Sequence, residues 1–146
     1  MFRFDAPDGS YKVLYAARSL ETAFGETLVR SPHIPYVTST AVKARVRSEL
    51  AASRTIRLYS LIDAGVSAHG LSFTDLHGDA YGRTQEISAW VHDSTSADGI
   101  LYTSRFDNQR CVALFDRAID WGWFYWFELP IFYTLDWLFK LFGNFG

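Results

Sequence analysis

Residue usage changes once, sharply, near Phe115, and any fold for this chain must accommodate two unlike stretches. Residues 1–116 are ordinary mixed sequence. Trp121–Gly146 holds four of the five tryptophans and six of the twelve phenylalanines, with only Glu128, Asp136 and Lys140 as charges. Those charges and Pro130 leave no uninterrupted apolar run of the roughly 18 residues a spanning helix needs. The residues after Pro130 are expected instead to form a short aromatic helix with Asp136 and Lys140 paired at i, i+4. Such a segment suits a membrane interface or burial against a domain.

The chain of 146 residues is about the size of one domain and long enough to bury a sizeable core. A net charge of −2 supplies no basic field for phosphate backbones, which argues against direct nucleic-acid binding. Cys111 is the single cysteine, so an internal disulfide and any multi-cysteine zinc site are excluded and a reducing cytoplasm fits. Arg3, Asp5 and Asp8 stand where a secretory signal needs an apolar core, so export by that route is not expected.

The run Lys12 to Ala17 reads as a buried strand entered from the Asp8-Gly9-Ser10 turn. Ser19 then caps a helix whose inward stripe is Leu20, Ala23, Phe24, Thr27 and Leu28, with Glu26 projecting off it. Tyr36 to Val46 alternates, with Val42, Ala44 and Val46 opposite Lys43, Arg45 and Arg47, and is expected to be a half-buried strand with a solvated basic face. A further strand is expected over Thr55 to Leu61. Thr84 is expected to cap a helix through Ile87, Trp90 and Val91, and Asp98-Gly99 to turn the chain into strands over Ile100 to Ser104 and Cys111 to Phe115. The pattern implies an α+β domain with a mixed, mainly antiparallel sheet, flanking helices and a C-terminal aromatic helical tail.

Common catalytic signatures are absent: no phosphate-binding Gly-x-x-x-x-Gly-Lys-Ser/Thr, no Gly-x-Gly-x-x-Gly, no His-Glu-x-x-His and no Gly-x-Ser-x-Gly. His33, His69, His77 and His92 lack ligand spacing, so no metal is expected and each is read as a surface or satisfied core residue. What remains is Arg3-Phe-Asp-Ala-Pro-Asp-Gly9, then Leu14-Tyr-Ala-Ala-Arg-Ser-Leu-Glu-Thr-Ala-Phe-Gly-Glu-Thr27, and Asp98-Gly-Ile-Leu-Tyr-Thr-Ser-Arg105. With Tyr81 to Trp90 and Cys111 to Arg117, these resemble the RES domain family over residues 3–117. The arginine, glutamate and serine that name the family fall on Arg3, Glu26 and Ser104, and its tyrosine on Tyr15.

The resemblance implies a fold like the ADP-ribosyltransferases and a toxin that depletes NAD by cleaving the nicotinamide–ribose bond. The acceptor of ADP-ribose stays open among water, inorganic phosphate as co-substrate and a protein side chain. It also implies an Xre-type antitoxin as partner and is compatible with a homo-oligomer. The residue types suit the chemistry. A guanidinium at Arg3 can hold a pyrophosphate by two parallel charge-assisted bonds. The Tyr15 ring can stack on the cationic nicotinamide. A fixed Glu26 carboxylate can offset the positive charge that grows on the ribose, which makes Glu26 and Tyr15 the catalytic candidates. Ser104 is read as a hydroxyl that binds phosphate or ribose, beside Arg3 and Tyr15, and not as a nucleophile.

Family members carry at least one strand before the arginine, which here is almost the first residue. That strand is expected to be missing, with Arg3 left on a mobile terminus. The stretch from Phe115 to Gly146 resembles part of a YidC-type membrane insertase. The expected division is therefore a RES-like domain over 1–117 and an aromatic tail over 118–146, cytoplasmic, with 121–142 suited to peripheral membrane contact. The competing reading is an inactive truncated or chimeric remnant that acts only in protein or membrane association.

Overall fold

Short apolar strand stretches on either side of a helical middle assemble into one sheet. The computed structural model describes residues 2–29, 36–52, 54–118, 124–129 and 139–143. Five helices are described: α1 (Leu20–Leu28), α2 (Ser39–Lys43), α3 (Ala64–Ala68), α4 (Phe73–His77) and α5 (Gly82–Ser94). The strands are β1 (Val13–Ala17), β2 (Val46–Ala52), β3 (Leu58–Ser60), β4 (Gly99–Thr103), β5 (Arg110–Phe115), β6 (Phe124–Leu129) and β7 (Phe139–Gly143). Their order in the sheet is β3-β4-β5-β1-β7-β2-β6. Only β3 and β4 run parallel; every other neighbouring pair is antiparallel, so the mixed, mainly antiparallel α+β architecture is observed.

The period of two along β1, β4 and β5 sends alternate side chains to opposite faces. Cys111, Ala113 and Phe115 of β5 join Ile100 and Tyr102 of β4, and Ala17 of β1, in the larger core cluster. Leu20, Ala23 and Phe24 of α1, Leu76 of α4 and Ile87 and Val91 of α5 cover that face. The intervening Ala16, Val112 and Leu114 pack with Leu50 in a second cluster on the other face. Both faces of β5 are therefore buried, which explains a nearly unbroken apolar run from Cys111 to Phe115. Gly99 stands where β4 meets β5 so closely that a Cβ would lie 2.3 Å from the Ala113 carbonyl oxygen.

Several sequence expectations are met and several are corrected. Ser19 does cap α1, its side chain accepting the Thr22 N–H. Tyr36 to Val46 is not a strand: Thr38 accepts the Ala41 N–H and caps α2, and the strand begins only at Val46. A side chain that can satisfy an orphan N–H starts the helix despite the alternating pattern. Lys43 and Arg47 consequently fall on different elements. The strand expected over Thr55 to Leu61 is the shorter β3. Thr84 lies inside α5, its hydroxyl donating back to the carbonyl of Tyr81, which is the N-cap. The helical tail is also corrected. Phe124–Leu129 and Phe139–Gly143 are strands flanking β2, consistent with the high strand preference of aromatic residues. Lys140 belongs to β7, and Asp136 lies outside the described residues.

Candidate active site

The segment before β1 carries Arg3, and its own side chains and those of β1 and α5 fix it. The Phe4 N–H donates to the Tyr15 hydroxyl at 2.8 Å, and that hydroxyl donates to Asp5 at 3.0 Å. Gln85 donates to the Phe2 carbonyl at 2.9 Å and Ser88 to the Phe4 carbonyl at 2.7 Å, while Phe4 itself is fully buried. Arg3 is therefore anchored by its neighbours, contrary to the mobile terminus expected from its position in the sequence. Its guanidinium lies 5.0 Å over the Tyr81 ring, within the range of a cation–π contact, and reaches toward the Asp75 carbonyl at 3.4 Å. Burial lowers the Arg3 pKa, Tyr81, Glu26 and Tyr102 oppose that fall, and Arg105 adds to it. A guanidinium stays charged through such shifts.

Glu26 sits half-buried in the second half of α1. The helix is held at both ends of this stretch. Thr22 donates to Asp107 at 2.6 Å, and a side chain at Gly25 would press on the Phe106 ring, 3.4 Å from the Cβ position. The Tyr102 phenol is buried on β4. Burial raises its pKa well above the ordinary value, Cys111, Glu26 and Tyr15 add to the rise, and Arg3 opposes it. Arg3, Tyr15 and Glu26 thus all act electrostatically on one buried hydroxyl. The Cys111 thiol is pushed up to about 12, first by burial and then by Glu26, and stays an inert thiol near neutrality.

Tyr15 has its hydroxyl committed to Asp5 and the Phe4 N–H, and its ring tilts against Phe2 at 5.6 Å. Burial, then Asp5, raises its pKa, so the phenol stays protonated. Ser104 is buried in the turn between β4 and β5. Its N–H donates to the Gln109 carbonyl at 2.8 Å and its hydroxyl oxygen accepts the Phe106 N–H at 3.1 Å. The same turn carries Arg105, paired with Asp79 at 2.9 Å.

His77 enters this neighbourhood without having been singled out by the sequence. Its Nε2 is 3.5 Å from the Thr103 hydroxyl, and its ring stacks on Phe73 at 4.0 Å. The Nδ1 atom is buried with no hydrogen-bond partner, so His77 is not a satisfied core histidine. Burial lowers its pKa, and Arg3 and then Arg105 lower it further. No spacing rule could have found it, because the groups around it come from distant parts of the chain. Among the described residues, no group of three or more His, Cys, Asp and Glu side chains comes together as a metal site.

The profile of the RES domain family matches residues 2–121. The chain belongs to the RES domain family. This family is associated with NAD-processing enzymes and with toxin–antitoxin pairs. A second similarity is to membrane protein insertase YidC. The protein of Sinorhizobium medicae (strain WSM419) is 59% identical over 67 residues, 46% of this chain and 11% of the insertase. That of Brucella suis biovar 1 (strain 1330) is 37% identical over the same length and shares. That of Rickettsia bellii (strain OSU 85-389) is 48% identical over 42 residues, 29% of this chain and 8% of the insertase. This chain thus spans only about a tenth of the length of these curated relatives. A 67-residue match is longer than the part of the chain outside 2–121, so the two similarities overlap within the RES domain. No solved structure matches the chain. Among the described residues, no helix is long and apolar enough to cross a membrane.

Proposed function

We propose that this RES domain is the toxin of a toxin–antitoxin pair and cleaves the nicotinamide–ribose bond of NAD. The observation that carries the reading is the RES family match over residues 2–121, and the electrostatic influence of Arg3, Tyr15 and Glu26 on the buried Tyr102 hydroxyl is in keeping with it. Arg3 holds the pyrophosphate through its guanidinium, and the Tyr15 ring supports the nicotinamide. As the C1′–N bond breaks, its electron pair moves onto the nicotinamide nitrogen and neutralises that ring. Positive charge develops on the ribose, and the Glu26 carboxylate stabilises it. Water then completes a hydrolysis, or inorganic phosphate a phosphorolysis. A protein nucleophile would make the same step a transfer. Ser104 contributes a hydroxyl to the ligand while shaping the turn that carries Arg105.

The family's pairing with antitoxins supports a protein inhibitor, in our reading one of Xre type, and self-association is compatible with the same domain. A cytoplasmic location follows from the substrate. The tryptophan-rich stretch over 121–142 adds peripheral membrane contact to the proposal.

Incubating the purified chain with NAD, with and without phosphate, should release nicotinamide and identify the acceptor from the second product. Glu26→Gln should reduce turnover by roughly two orders of magnitude or more with little change in circular dichroism, the scale of losing one transition-state electrostatic contact. Equal turnover in the variant rejects this role for Glu26. Arg3→Lys should chiefly weaken NAD binding, because it keeps the charge and loses the fork.

A further inference from the structure

A buried nitrogen without a partner is uncommon and costs on the order of 1–3 kcal/mol, so the Nδ1 atom of His77 calls for a partner from outside the chain. Its setting defines what that partner is. Arg3 reaches the Asp75 carbonyl two residues before His77, and Arg105 binds the Asp79 carboxylate two residues after it. Two guanidiniums from opposite ends of the domain thus grip the chain on either side of the imidazole. With Thr103 facing Nε2, we assign the proton of the neutral ring to Nδ1, which makes the orphan a donor. Phe73 covers the ring and is 69% exposed, so a rotamer change there can uncover it.

We propose that His77 Nδ1, together with Arg3 and Arg105, forms a site for a phosphate-class oxyanion, with His77 as a binding residue for it. The Asp79 carboxylate now on Arg105 is 75% exposed and regains water when it leaves, so a phosphate oxygen can replace it on the guanidinium, which is 16% exposed. The other acid next to this stretch, Asp75, is already tied to Ser72 and close to Arg83. Glu26 on α1 acts electrostatically on Arg3. The oxyanion has two sources, the pyrophosphate of a dinucleotide and free inorganic phosphate. Only the dinucleotide source rests on the NAD reading.

The test measures dissociation constants of the full-length chain for inorganic phosphate and for NAD in His77→Phe and His77→Asn. Phe keeps the ring stacked on Phe73 and removes the donor, whereas Asn returns an N–H near the Nδ1 position. His77→Phe should weaken binding about tenfold or more, and His77→Asn should restore most of it, as expected for a hydrogen bond to a charged group. Loss of phosphate binding alone identifies free phosphate as the occupant, and loss of NAD binding alone identifies the dinucleotide. Unchanged binding of both ligands in a folded His77→Phe overturns the proposal, as does equal weakening in the two variants. Should His77→Phe fail to fold, nuclear magnetic resonance of the wild-type imidazole decides. Its nitrogen signals should move on adding phosphate or NAD, and signals that stay fixed with both sink the idea. Because Glu26→Gln reads cleavage and these variants read binding, either proposal can fail while the other stands.

Discussion

The sheet has two panels whose strands come from different parts of the chain. In β3-β4-β5-β1, side chains interlock on both faces, with helices over one of them and every strand registered along most of its length. In β7-β2-β6, β2 registers with β6 from Arg47–Leu129 to Ala52–Phe124 and with β7 from Val46–Gly143 to Leu50–Phe139. The panels meet between β1 and β7, where Ala17 registers with Lys140, between α1 and β7, and through Leu50, which packs with Ala16, Val112 and Leu114. Arg3, Tyr15, Glu26 and Ser104 all belong to the first panel or the helices and turns on it. Similarity boundaries and sheet boundaries do not coincide. β2 lies well inside the family match at 2–121, yet both its neighbours come from the aromatic stretch beyond that match.

Ending the chain after Ala118 should separate the two panels most strongly. β2 then loses both of its registered neighbours, and the amides of Val46–Ala52 should lose their hydrogen-exchange protection entirely. Those of β4 and β5 should keep theirs, since their partners are β1, β3 and each other. NAD turnover per folded molecule should be largely intact in the shortened chain. Retained protection across β2 would show that the first panel holds this strand by itself and that the tail is an appendage.

The first panel was largely legible in the sequence and the second was not, for a physical reason. β1, α1 with its Ser19 cap, and the β4–β5 pair each announce themselves locally, by an apolar run, a capping side chain or a turn. β6 and β7 depend on β2 being beside them, and nothing within an aromatic stretch says whether it will pair or coil. Tyr36 to Val46 misled because alternation and a five-residue helix are both compatible with Val42, Ala44 and Val46, and the Thr38 cap decided it. α3 and α4 are too short to show a helical period. The order of Arg3, Tyr15, Glu26 and Ser104 carried the family membership. The surroundings of His77 could not be read, because Arg3, Thr103 and Arg105 become its neighbours only through the fold.

A smaller effect confined to the first panel comes from acid. Asp98 accepts two bonds from Arg54, at 2.9 and 2.7 Å, and one from the Arg57 N–H at 2.8 Å, tying the entries of β3 and β4 together. The Arg54 bonds, with the Arg57 N–H in support, hold its carboxyl at about 2 against the opposing effect of burial. The folded pKa is lower than the unfolded one, so the ionised carboxylate stabilises the fold above the usual carboxylate range. That contribution falls away as the pH drops from about 4 through 2. It is on the order of 2 kcal/mol. Urea unfolding at pH 7 and near pH 2 should show Asp98→Asn closing most of its gap to the wild type in acid. A gap that is the same at both pH values would remove Asp98 from the account.

The smallest expected effect tests whether the first panel's order reaches the chemistry through α1. Ser19 accepts the Thr22 N–H at 3.1 Å, satisfying one of the helix's unpaired donors. The Thr22 hydroxyl gives its hydrogen to Asp107, so the 2.7 Å contact between the Ser19 and Thr22 hydroxyls has Ser19 as donor. One serine therefore caps the helix and feeds a chain of hydrogen bonds that ends on the turn between β4 and β5. Ser19→Ala should cost about 1 kcal/mol of stability, the usual loss for a cap, read as a lower urea midpoint with an unchanged slope. Glu26 lies almost two turns further along, and Thr22–Asp107 still clamps the helix. Turnover of NAD should consequently fall by less than about tenfold, because a loosened helix end displaces the carboxylate only slightly. Ser19→Thr keeps the hydroxyl and should restore both stability and turnover. A loss of turnover as large as that expected of Glu26→Gln, with the fold intact, would mean that the cap acts on the reacting atoms and not through the helix.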